Sequence, residues 1–127
     1  MQRFGKHSAA AQRQAERRQL ENDAPRLAIE APELLTLRLE IEEHSQIAAV
    51  GPNYLRLISV AHAPALFLLP CGDNSCADGG HDITHEIMRS IKARQTSFKG
   101  DDACRGSLGQ SGSCTRILHY VATATYK

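Results

Sequence analysis

Leu35-Thr36-Leu37-Arg38-Leu39-Glu40-Ile41-Glu42 alternates apolar and polar side chains without a break. Successive side chains of an extended chain point to opposite faces, so a period of two means a strand with one buried face and one wet face. This pattern is the clearest in the chain, and it predicts Leu35, Leu37, Leu39 and Ile41 in the core. Gly51-Pro52-Asn53 is a turn signal. A second strand is expected from Tyr54 to Ala61, carrying Leu55, Leu57, Ile58 and Val60. Pro64 interrupts it, and Ala65 to Leu69 reads as a short third strand that runs into Cys71.

Downstream the period changes. Ile83, Ile87, Met88 and Ile91 form one helical stripe behind Asp82, a natural N-cap, which predicts a helix over 83–94. Arg89, Lys92 and Arg94 fall near its C-terminus, where cations suit the helix dipole. Gln95 to Lys99 is expected as a strand and Gly106 to Gly112 as a flexible hairpin loop. Thr115 to Lys127 is the longest strand. One face carries Leu118, Tyr120, Ala122, Ala124 and Tyr126, the other Ile117, His119, Val121, Thr123 and Thr125. Two fairly apolar faces predict a central place in the sheet. The fold class is therefore α+β: a small antiparallel sheet of about five strands, covered on one face by one main helix.

The chain has 127 residues, 42% of them apolar, and no Trp. One domain with a modest core is expected, and a cross-link would help it. Residues 1–26 carry six basic side chains against three acidic ones and almost no large apolar residue. They read as a polar basic arm, disordered or helical on a partner. Residues 27–127 are expected to form the single domain. Within it, 27–45 carry one basic and five acidic side chains, and 86–127 carry seven basic and three acidic. Charge scattered through the first 25 residues leaves no room for an apolar leader, and no run approaches the roughly 18 apolar residues of a membrane span. A cytoplasmic protein without membrane contact is the expectation.

In a reducing compartment four cysteines favour metal over disulfides. The set is Cys71-x4-Cys76 and Cys104-x9-Cys114. A structural Zn2+ takes four thiolates at tetrahedral corners, usually two from each of two turns. Both pairs sit beside Gly, Asp and Ser, where backbone N–H groups can face the sulfurs. Two alternatives stand beside zinc: disulfides Cys71–Cys76 and Cys104–Cys114 in an exported protein, and free thiols. His81 and His85 are alternative metal ligands, because with Cys71 and Cys76 they would complete a two-cysteine, two-histidine set. His119 is expected to pack or pair across its strand.

Residues 71–114 resemble a zinc-ribbon or treble-clef-like module, with a cysteine turn before a helix and a second pair after it. The resemblance implies structural metal binding and, often, contact with nucleic acid or protein. Enzyme templates fail on the residues. His85-Glu86 does not complete H-E-x-x-H because position 89 is Arg, no H-x-E precedes Pro70-Cys71, and no nucleophile-elbow, Walker or dinucleotide fingerprint is present. Four protein ligands on zinc leave no open position for water or substrate. The expected role is a non-enzymatic protein-interaction or regulatory module. The alternative is an RNA-, DNA- or ribosome-binding protein that uses the basic arm with Arg89, Lys92, Arg94, Lys99, Arg105 and Arg116, although three Phe and three Tyr offer few stacking platforms.

Overall fold

The computed structural model describes residues 6–45, 49–73, 76, 78–109 and 112–127. Residues 1–5 of the arm, Asn74, Ser75 and Ala77 around the first cysteine pair, and Gln110 and Ser111 of the glycine-rich loop lie outside the described residues. The elements, in chain order, are α1 (Lys6–Asp23), α2 (Leu27–Glu30), β1 (Leu34–His44), β2 (Ala49–Ile58), β3 (Leu68–Leu69), β4 (His81–Asp82), α3 (Thr84–Lys92), β5 (Ser97–Ala103) and β6 (Ile117–Tyr126). The main sheet is antiparallel with strand order β2-β1-β6-β5, and β3 and β4 form a separate two-stranded ribbon. The α+β class and the central position of the last strand are as expected.

One core joins the inner face of the sheet to the helical layer. It contains Leu37, Leu39 and Ile41 of β1, Leu118, Tyr120, Ala122 and Ala124 of β6, Phe98 of β5, Ile87 and Ile91 of α3, and Leu27 of α2. Each fully buried aliphatic side chain here contributes about 1.5–3 kcal/mol. The N-cap of α3 is Ile83 and not Asp82 as expected; Asp82, one residue earlier, accepts the Thr84 N–H on its Oδ1 at 3.0 Å. Arg94, just past α3, has φ 57°. Its guanidinium lies 5.0 Å from the centre of the Tyr126 ring, which ties the helix end to β6.

Two details depart from the period-two reading. The β1–β6 register shifts between Leu34 and Thr36. As a result Leu34 is 1% exposed and Leu35, expected inside, is 53% exposed. An extra residue in one strand reverses the facing of everything before it. At the other end of β1 the alternation continues one step further than the apolar residues do. Glu43 follows Leu37, Leu39 and Ile41 onto the inner face and is 2% exposed. The strand expected at 95–99 runs instead from Ser97 to Ala103, because its pairing with β6 continues as far as Ala103↔Ile117.

Residues 6–23 form α1. None of residues 11–23 belongs to the core cluster, which begins at Leu27, and Leu20 is exposed. The helix borders the body along β3 and β4, where Arg13, Arg17 and Leu20 share a hollow of about 290 Å³ with Leu68, Gly80 and His81. No helix among the described residues is long and apolar enough to cross a membrane.

Candidate metal centre

The four cysteines, far apart in sequence, converge at one end of the molecule. Cys71 follows β3 across Pro70, and Cys76 closes the same turn. Cys104 directly follows β5, and Cys114 stands three residues before β6. The β5–β6 hairpin continues past the sheet to hold the second pair: the Cys104 N–H donates to Arg116 O, and the Cys114 N–H to Gly106 O, both at 2.9 Å. All four are free thiols. Their sulfurs lie within 4.8 Å of one another and could hold a metal ion.

Two sulfur–sulfur distances identify the arrangement. Cys71–Cys114 and Cys76–Cys104 are each 3.7 Å. Metal–sulfur bonds of about 2.3 Å to tetrahedral corners give an edge of about 3.8 Å. A disulfide is about 2.05 Å long. The two short edges also join one turn to the other, not cysteines of the same turn.

Backbone donors face the sulfurs, as the Gly- and Asp-rich turns lead one to expect. Asp73 N–H donates to Cys71 Sγ and Gly106 N–H to Cys104 Sγ, both at 3.4 Å. Without a metal the thiols do not share one behaviour. Burial pushes the Cys71 thiol up, against the help of its Asp73 donor, and burial with the neighbouring sulfurs pushes Cys76 up to about 11. Cys104 moves down: burial opposes its thiolate, but the N–H groups of Gly106 and Gly80 and the neighbouring thiols outweigh it. Cys104 thus favours its thiolate while Cys71 and Cys76 resist theirs, as expected for ligands that bind metal with proton release.

Two glycines make the close approach of the turns feasible. A Cβ on Gly79 would fall 2.2 Å from Cys104 Sγ and 2.4 Å from Cys76 Sγ. A Cβ on Gly106 would fall 2.4 Å from Cys76 Sγ and 2.6 Å from the Gly79 Cα. Gly106 is therefore a buried packing position, not part of a loose loop.

Three further contacts hold the turns in place. Glu43, on the inner face of β1, accepts the Gly72 N–H at 3.1 Å and lies 3.8 Å from Arg116 Nη1. Ser107 N–H donates to Asp78 at 2.6 Å, linking the two cysteine loops. His81 is buried, and its Nδ1–H donates to Asp102 Oδ2 at 2.8 Å, joining β4 to β5 two residues before Cys104. A carboxylate only accepts, which fixes this tautomer. His81 Nε2 is buried and has no hydrogen-bond partner among the described residues.

His81 and His85 stand outside the sulfur group, which among the described residues consists of cysteines alone. His85 is exposed on α3. The six basic residues put forward as nucleic-acid contacts are spread over the molecule. Arg89 and Lys92 lie on α3, and Lys99 on the opposite, outer face of the sheet. Arg94 stacks on Tyr126, Arg105 is exposed beside the metal centre, and Arg116 faces Glu43. Arg13 and Arg17 of the arm share a hollow of about 300 Å³ with Cys71, Cys76 and Gly79.

Glu43, Gly79 and Asp102 are not expected as site residues from the sequence, while Gly106 is expected in a flexible loop and Arg13 and Arg17 only within the basic arm. Of these, Glu43 had a visible signal, being a carboxylate in phase with Leu37, Leu39 and Ile41. No family model, curated protein or solved structure matches the chain.

Proposed function

We propose that Cys71, Cys76, Cys104 and Cys114 hold one structural Zn2+, and that the protein is a non-enzymatic interaction module which this zinc keeps in shape. The carrying observation is the sulfur geometry: 3.7 Å edges that match a tetrahedral thiolate site. Thiolates are soft ligands, which favours zinc over magnesium, calcium or manganese. With every corner supplied by the chain, the ion's part is to join the β3 turn to the β5–β6 hairpin. The cysteine-bearing ends of both lie beyond the main sheet, and a metal is a usual remedy in small folds. In this respect the site is of zinc-ribbon type.

A protein partner suits the surface better than nucleic acid does. The predicted cationic contacts are divided between α3, the outer sheet face and internal pairings, and so form no single stripe along which a phosphate backbone could run.

Elemental analysis with X-ray absorption on the purified protein tests the metal. One zinc per chain with four sulfurs at about 2.3 Å supports it, and metal-free protein with four titratable thiols in the native state overturns it. Fluorescence anisotropy with mixed-sequence RNA and DNA tests the partner class. Absence of binding at low salt supports a protein partner, whereas tight binding that falls steeply with salt overturns it.

A further inference from the structure

The outer face of the main sheet carries a second cluster of metal-ligating side chains, independent of the thiols. Strand register places Glu42 of β1 opposite His119 of β6, and His119 opposite Asp101 of β5. These three form one row across three strands. His44 follows two residues after Glu42, on the same face and diagonal to His119. On its other side β1 meets an irregularity in β2, whose extra residues lie between the partners of Glu42 and His44. Bulges re-aim side chains and recur beside functional sites.

Each imidazole is held by a carboxylate. His44 Nε2–H donates to Glu42, and His119 Nδ1–H donates to Asp101 Oδ1 at 2.6 Å. In the neutral rings this leaves the lone pair on Nδ1 of His44 and Nε2 of His119. A carboxylate behind one nitrogen with the other bearing a lone pair is how metal-ligating histidines are oriented. The two rings meet edge to face, with centroids 4.3 Å apart and planes at 71°. Their side chains are 30% and 41% exposed, so a hydrated ion can reach them. A hollow of about 630 Å³ lies alongside, lined by Glu42, His44, Lys99, Asp101 and His119.

From this juxtaposition we infer that His44 and His119, oriented by Glu42 and Asp101, form a second site for a borderline divalent transition-metal ion such as Zn2+ or Ni2+. Imidazole nitrogen suits these ions, while the oxygen-seeking Mg2+ and Ca2+ would prefer carboxylates. The donors do not close around a common point as the thiols do. Two nitrogens with water completing the sphere make an open and exchangeable site, weaker than the thiolate centre.

The test uses the full chain, first equilibrated with one equivalent of Zn2+ and then dialysed against increasing Zn2+. Bound metal is counted by elemental analysis, and the imidazoles are followed by long-range 1H–15N spectra. The expected result is a second bound zinc, with the His44 and His119 signals moving together and those of His62, His81 and His85 unmoved. His44→Asn and His119→Asn should each weaken this step at least tenfold, leaving the first equivalent and the backbone spectrum unchanged. Asp101→Asn should weaken it less. Zinc uptake that leaves the His44 and His119 signals unmoved, or a second step equally tight in the His44→Asn/His119→Asn double variant, would overturn the inference. If the thiols hold no zinc, the count falls by one while the His44 and His119 signals still move, so the two readings fail separately.

Discussion

Gly79 and Gly106 show how little space separates the two cysteine turns. Alanine at either position would place a methyl carbon about 2.2–2.4 Å from a ligand sulfur. At Gly106 it would also strike the Gly79 backbone at 2.6 Å, which cannot rotate away as a side chain can. Gly79→Ala and Gly106→Ala should therefore lower zinc content, Gly106→Ala more severely. Gly109→Ala is the control. Its φ of +69° makes the change strained by about 1 kcal/mol, but nothing lies within 4 Å, so zinc content should hold. Glu43 offers a second test. Glu43→Ala removes the acceptor of the Gly72 N–H inside the protein, at a cost of about 1–3 kcal/mol. Because that N–H belongs to the Cys71 turn, metal affinity should fall too, by about 10–100-fold as for other outer-sphere partners. Competition with a chromogenic chelator would read this. An unchanged affinity would mean that Glu43 serves the core alone.

Among the elements, β1 decides the facing of the sheet. Its alternation could be read from the sequence because side-chain direction in a strand is a local property. Its starting phase could not, because the register shift between Leu34 and Thr36 is a matter of pairing with β6. Paired substitutions separate the two assignments. Leu34→Ala should cost about 2–5 kcal/mol by leaving a cavity, and Leu35→Ala should stay within about 0.5 kcal/mol. Urea unfolding of both variants gives the comparison, and the reverse order would restore the unbulged phase. The stripe of α3 was legible for the same local reason as the strand alternation. The extent of β5 was not, since Lys99 to Ala103 joins the sheet only through its partner strand.

At the scale of the whole molecule, the cysteine cluster joins the turn after β3 to the end of the β5–β6 hairpin. Beyond the sheet, β3 and β4 pair through just two residues each. Chelation should therefore destabilise the protein and make its melting temperature depend on free zinc. At a hundred times the dissociation constant the ion supplies about 2.7 kcal/mol. Thermal melts by circular dichroism with and without chelator check this, and coincident melts would assign the cohesion to the apolar core alone. The effect carries a pH sign. In the metal-free protein the Cys71 and Cys76 thiols keep their protons well above neutral pH, so zinc must displace those protons. Its stabilisation should shrink as pH falls.

The sequence by itself determined the alternation of β1, the last strand, the helix stripe and the candidate ligands, because periodicity and ligand chemistry are properties of neighbouring residues; the turn expected at Gly51-Pro52-Asn53 lies instead within β2. It could not determine which sulfurs approach each other, that Glu43 and His81 are buried beside them, or that His44 and His119 meet on the outer face. Those relations join positions up to 75 residues apart, as with His44 and His119. Strand order and register fix them, and these are settled only when the chain packs.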